Sequence, residues 1–264
     1  MTDAQRGAQG RLTASAPFDD KGAVDSTRRV LIVESLMDPR SVVGEEFRLL
    51  CAKLRALRRE RSLGCLALVS ALPGEGKSTV SLGLATALAR ERGQRILLVE
   101  SDLRRPTISR DLGLSEMPGL AEWLNGSLDG VPVRLVRPGN FLLLSAGKVD
   151  LDEPESLGSA RMDTLLRAAR AQFDLVLLDA TPILPVADVN LIQDLVDGFL
   201  LVVRSRMTPR EAISNALGRI RSDKVVGIVL NDHSEYRGSY MTYAYQAYGM
   251  SKGRKDSSGE QGSE

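Results

Sequence analysis

The run Leu66-Ala67-Leu68-Val69, followed by Ser70-Ala71-Leu72-Pro73-Gly74-Glu75-Gly76-Lys77-Ser78-Thr79, constrains this chain more than any other stretch. A short apolar run, a glycine-bearing turn and then apolar residues at helical spacing read as strand, loop and helix. Only a glycine-rich turn lets several backbone N–H groups converge closely on one anion. Gly74 and Gly76 supply that freedom, and Lys77 adds a positive charge on what reads as an exposed loop. The helix after the loop aims the positive end of its dipole at the same anion. The stretch therefore reads as a phosphate-binding loop in which residues Pro73, Gly74, Glu75, Gly76, Lys77, Ser78 and Thr79 hold a nucleotide's phosphates. Lys77 would face the β- and γ-phosphates, and the Ser78 hydroxyl would be a direct Mg²⁺ ligand.

The rest of the chain alternates apolar strands with helical segments. Strands are expected at 95–99, 141–144, 173–179, 198–203 and 225–230. Helices are expected at 41–61, with Ser41 as cap and Phe47, Leu50, Leu54 and Leu57 as one apolar stripe, at 154–171, and after Thr208-Pro209. This alternation implies an α/β fold: a doubly wound, mainly parallel sheet flanked by helices, the P-loop NTPase architecture. Residues 1–29 carry almost no large apolar side chains and are expected to be a flexible tail. The nucleotide-binding domain is expected over 30–233, folding from about 29–33, and a tyrosine-rich tail over 234–264. All five tyrosines, Tyr236, Tyr240, Tyr243, Tyr245 and Tyr248, fall in that tail, where polar neighbours favour an exposed, reactive segment over a packed helix.

The net charge of +1 gives no global field to recruit nucleic acid or an acidic membrane. The basic face of 41–61, with Arg48, Lys53, Arg55, Arg58, Arg59 and Arg61, reads either as a solvated face or as a partner surface. It has no recognition motif, so no nucleic-acid partner is expected. Cys51 and Cys65 have no metal or disulfide spacing, which suits a reducing cytoplasm. No apolar run is long enough to cross a bilayer, so a cytoplasmic protein is expected.

Three strand ends bring chemistry together: the phosphate loop, Glu100-Ser101-Asp102 and Asp179. α/β sheets place ligands at the carboxyl ends of their strands. Phosphoryl transfer needs a phosphate cradle, a metal held by hydroxyl and carboxylate, and a group that takes the nucleophile's proton. Lys77 and the loop amides supply the cradle, Ser78 and Asp179 the metal ligands, and Glu100 and Asp102 a second acidic motif, one for the proton and one supporting the metal.

This conjunction resembles the bacterial tyrosine kinases of capsule and exopolysaccharide biosynthesis, P-loop proteins related to division- and partition-type ATPases. Its carriers are the loop Ala71 to Ser78, the motif Glu100-Ser101-Asp102-Leu103-Arg104-Arg105-Pro106, the run Val176 to Asp179 with Pro182 and Pro185-Val186-Ala187-Asp188, and the tyrosine tail. A weaker echo, Gly227-Ile228-Val229-Leu230-Asn231, brings in Asn231 as a nucleotide-binding residue. The resemblance implies ATP and Mg²⁺ as cofactors, autophosphorylation of the tail in trans, and self-association with a ring as one form. It also implies a membrane-bound polysaccharide co-polymerase as activator, which recruits the protein to the inner face of the membrane. The chain departs from the family pattern at Glu100, where Asp is usual and serves as base, at Cys51, where the ring-forming helix has Arg after Glu45 and Arg48, and at Thr181, where proline is usual. A second reading is a non-kinase ATPase switch that organises partners at the membrane, with the tyrosines as a docking segment.

Overall fold

The computed structural model describes residues 18–25, 33, 35, 41–91, 93–148 and 154–232. The tyrosine tail, its five candidate acceptors and most of 29–33 lie outside the described residues; Val33 is buried.

Strands β1 (Phe18–Asp25), β2 (Cys65–Ser70), β3 (Ile96–Glu100), β4 (Val131–Arg137), β5 (Phe141–Leu144), β6 (Leu175–Asp179), β7 (Gly198–Arg204) and β8 (Val225–Asn231) form one sheet. Its order is β1-β4-β5-β3-β6-β2-β7-β8. Every neighbouring pair is parallel except β4 with β5. The helices are α1 (Val42–Glu60), α2 (Lys77–Ala89), α3 (Ile108–Leu112), α4 (Leu120–Leu124), α5 (Ala160–Gln172), α6 (Asp188–Ile192) and α7 (Arg210–Leu217). Because helices cover both faces, β2, β3 and β6 are buried throughout and read as unbroken Leu/Val runs. One core layer gathers Trp123, Leu165, Phe173 and Phe199; the other gathers Leu54, Leu84, Leu88 and Ile108. In the second, α1 approaches α2 so closely that a Cβ on Gly83 would meet the Phe47 ring at 2.3 Å.

Three sequence expectations change. Residues 18–25 are not part of a flexible tail: they form β1, which runs parallel to β4. An edge strand draws its stability from the ladder, and only Phe18 and Val24 of β1 turn inward, Phe18 meeting Phe173 edge-on with ring centroids 5.3 Å apart. β4 itself was not expected, since Pro132 and the buried Arg134 interrupt its apolar pattern. The helix expected over 154–171 is a 3₁₀ turn, Pro154–Gly158, and then α5, because the extended Ser159 caps a new start by accepting from Met162 N at 3.4 Å. The helix at 41–61 forms with Ser41 as its cap, and β2, β3 and β6 end side by side, with Leu68 in register with Asp179 and Asp179 with Glu100.

Candidate active site

Between β2 and α2 the chain turns through Gly74 and Gly76, at φ 82° and 87°, values that cost glycine nothing. At Gly76 a Cβ would stand 2.0 Å from Asn231 Nδ2, so glycine is needed there for space as well. Asn231, at the end of β8, donates to Glu75 O at 2.9 Å and ties the loop to the sheet edge. The Glu75 side chain turns inward. Its carboxylate accepts from Ala71 N (2.8 Å), Leu72 N (3.2 Å) and the Thr208 hydroxyl, so it braces the loop from beneath. Gly76 caps α2 without a side-chain acceptor, which leaves the first N–H groups of the helix for an anion.

Lys77 is not on an exposed loop but buried as the first residue of α2. Its ammonium lies 2.9 Å from Asp179 Oδ1 and 3.5 Å from Asp102 Oδ2. The Ser78 hydroxyl donates to Asp179 Oδ2 at 2.6 Å, and Ser81, one helical turn beyond Lys77, donates to Asp179 Oδ1 at 2.9 Å. The Asp179 carbonyl accepts from Ser101 N and Asp102 N, which fixes the end of β3 against β6. Burial raises the Asp102 carboxyl above the usual range, opposed by Lys77. Lys77, Ser78, Asp102 and Asp179 are thus brought together.

Glu100 is not brought to them. Although Asp179 is its register partner, its side chain is fully buried under α3 and does not line the cleft. Its carboxylate accepts from Ile108 N (2.6 Å), Ser109 N (3.0 Å), Ala146 N (3.2 Å) and the Ser109 hydroxyl. α3 has no side-chain cap from Thr107, and Glu100 takes over that duty. Burial pushes its carboxyl up to about 7 in spite of these donors. The expectation made Glu100 a catalytic residue; in this structure its carboxylate instead holds α3 and the end of β5, away from the cleft lining.

The cleft has a volume of about 820 Å³. The phosphate loop and Ser78 floor it, Arg104, Arg105 and Arg110 line one wall, and Thr181 and Pro182 the other. Arg104 is held in a two-bond fork by Asp188, at 2.9 and 3.1 Å. Thr107 and Thr181 each bury a hydroxyl without a partner among the described residues. Such a group costs about 1–3 kcal/mol unless something oxygen-rich meets it. With the oxygens of Ser78 and Asp102 on its lining and the buried Asp179 carboxylate directly behind Ser78, the cleft therefore fits a nucleotide and a hard cation. Sequence reasoning missed Ser81, Arg104, Asp188 and Thr181 as parts of the site; Ser81 was legible, since it lies four residues from Lys77 on the same helix face.

The Glu45–Arg48 pair closes on its own helix, with Arg48 Nε donating to Glu45 at 2.6 Å, and Cys51 packs in the core. On the basic face of α1, Arg55 pairs with Glu91 at 3.0 Å and Arg58 donates to the carbonyls of Leu63 and Asp174.

The CbiA family, the CobQ/CobB/MinD/ParA nucleotide binding domain, matches residues 66–246. Tyrosine-protein kinase YwqD of Bacillus subtilis (strain 168) is 31% identical over 219 residues, 80% of this chain and 91% of that protein. Succinoglycan biosynthesis transport protein ExoP of Rhizobium meliloti (strain 1021) is 32% identical over 202 residues, which are 73% of this chain and 25% of ExoP. The kinase domain of Escherichia coli tyrosine kinase ETK has the same fold, with a TM-score of 0.69 and 28% identity over 86% of each chain. The chain belongs to the CobQ/CobB/MinD/ParA nucleotide-binding family and, within it, to the bacterial tyrosine kinases.

Proposed function

We propose that this chain uses ATP and Mg²⁺ to phosphorylate the tyrosines Tyr236, Tyr240, Tyr243, Tyr245 and Tyr248 of a second copy, and that this regulates exopolysaccharide assembly. The observation that carries the reading is that Lys77, Ser78 and Asp102, which line a cleft floored by the phosphate loop, meet at the buried Asp179 carboxylate behind them.

The loop amides and the start of α2 bind the phosphates. Lys77 turns from Asp179 toward them and balances charge on the transferred group. Ser78 and Asp179 would hold Mg²⁺, with Asp102 beside them; the ion, when bound, would neutralise negative charge on the nucleotide. Arg104, fixed by Asp188, stands on the cleft wall as a fixed positive charge. Asp102 takes the proton of the attacking tyrosine hydroxyl, since Glu100 is committed to α3 and Asp102 is the carboxylate of that motif that lines the cleft. Transfer then forms the bond from tyrosine oxygen to phosphorus, breaks the bond from phosphorus to the bridging oxygen, and releases ADP.

The name of ExoP connects that relative to polysaccharide transport. Among the described residues no helix is long and apolar enough to cross a membrane. Recruitment to the membrane and activation are accordingly assigned to a membrane-bound co-polymerase.

Phosphopeptide mapping after incubation with ATP and Mg²⁺, with and without the cytoplasmic segment of such a co-polymerase, tests the reading, with Lys77→Met as control. Phosphotyrosine within 236–248 that depends on Lys77 is expected. If none forms even with the activating segment, the kinase reading fails and a nucleotide-driven switch that organises partners replaces it.

A further inference from the structure

At the far edge of the sheet from β1, an apolar groove of about 460 Å³ runs between α1 and β8. Side chains that core packing normally hides are in the open here: Val43 is 40% exposed, Leu49 52%, and Ile228 and Leu230 53% each. No other part of the described surface gathers so many large apolar side chains, since the only others this exposed are Met117 and Met207. Among the described strands β8 is also the edge one, paired on one side by β7.

The stretch of chain beyond β8 points to the occupant. Asn231 and Asp232, the last described residues before 233–264, line the groove themselves, so the described chain ends at it. Tyr236 lies four residues after Asp232, a reach of roughly 14 Å when extended. Tyr236, Tyr240 and Tyr243 recur at the spacing of one helix face, the pattern by which an amphipathic helix fills an apolar groove. Tyrosine suits this groove in particular: its ring buries well, its hydroxyl needs water or a polar partner, and Glu46 and Lys53 line the groove beside the apolar side chains. A tether this short also holds the segment at an effective concentration of about millimolar, well above that of a free partner.

We propose that the tyrosine segment of each chain docks in cis, laying Tyr236, Tyr240 and Tyr243 along the groove between α1 and β8. The docked segment reaches the nucleotide site through Asn231, which lines the groove and also bonds the phosphate loop at Glu75 O. On the kinase reading, a chain's tyrosines must leave this groove before they enter a neighbour's cleft; the docking itself does not depend on that reading.

Amide hydrogen exchange on the full chain without nucleotide tests this, so that failure of docking and failure of the kinase reading are read out separately. Residues 236–248 should exchange at least about tenfold more slowly than an unstructured chain. The protection should be unchanged on dilution and lost in the double variant Leu49→Asp, Ile228→Asp. Both positions are half exposed, and circular dichroism checks that the variant folds. Tyr240→Ser with Tyr243→Ser approaches from the other side, removing protection without altering the folded body. Absence of protection in the natural chain, or its survival in either double variant, overturns the proposal. So does protection that fades on dilution, which would place a second copy in the groove, or protection that arises only when the co-polymerase segment is added.

Discussion

Replacing Glu100 by Asp separates its two readings cleanly. If the residue is a base, Asp restores the usual family side chain and phosphorylation should speed up. The geometry says otherwise. Removing one methylene withdraws the carboxylate by about 1.5 Å, whereas its bonds to Ile108 N, Ser109 N and Ala146 N are 2.6, 3.0 and 3.2 Å long. All three cannot be kept. Each buried N–H left without an acceptor costs about 1–3 kcal/mol, and because the three share one network the losses do not add in full. A net destabilisation of roughly 2–4 kcal/mol is expected, a fall of about 1 M or more in the urea midpoint. The damage centres on α3, which carries Arg110 and Asp111 on the cleft wall, so phosphorylation should fall as well. Urea unfolding and initial rates of phosphotyrosine formation are measured on the same preparations. An unchanged midpoint with a faster rate would refute the capping role and return the base to this position.

Asp179→Asn should abolish Mg²⁺-dependent activity, because a neutral amide balances neither the metal nor Lys77; equal kcat at saturating Mg²⁺ would contradict this. Thr181→Val, which keeps the shape and removes an unpartnered buried hydroxyl, should hold or raise stability by up to about 1 kcal/mol while weakening nucleotide binding or kcat, read by urea unfolding and titration calorimetry. Burial pushes the Cys51 and Cys65 thiols up to about 12. Folding therefore suppresses their ionisation, with the stabilisation present below the ordinary thiol range and lost as pH rises toward 12, so both should resist a thiol reagent at pH 8 until urea is added.

The sheet's centre was legible because β2, β3, β6 and β7 are buried on both faces and so carry unbroken apolar runs. Its β1–β4 edge was not. β1 lends only Phe18 and Val24 to the interior, and β4 mixes Pro132 and Arg134 among its valines, so neither has the periodicity that local reasoning detects. A parallel edge strand is defined by the ladder it joins, and that partner lies about a hundred residues further along the chain. Ser159 shows the same limit at shorter range: as a helix start it competes with a pattern that reads continuously through it, and only the backbone geometry decides.

In the site, residues set by backbone chemistry were readable and residues set by side-chain direction were not. Gly74, Gly76, Lys77 and Ser78 are dictated by the demands a phosphate makes of a loop, whichever way the rest of the fold turns. Glu100 and Asp102 differ only by their places on a strand end, and sequence treats them as a pair. The fold divides them: the chain leaves β3 so that Asp102 opens toward Lys77, while Glu100, one turn of the pleat earlier, is roofed by α3. Its extra methylene relative to Asp then has a use, since the longer side chain is what reaches both the first amides of α3 and Ala146. The departure from the family's usual residue is thus compensated within the fold, and the acid of this motif left lining the cleft, Asp102, is the one held beside Lys77.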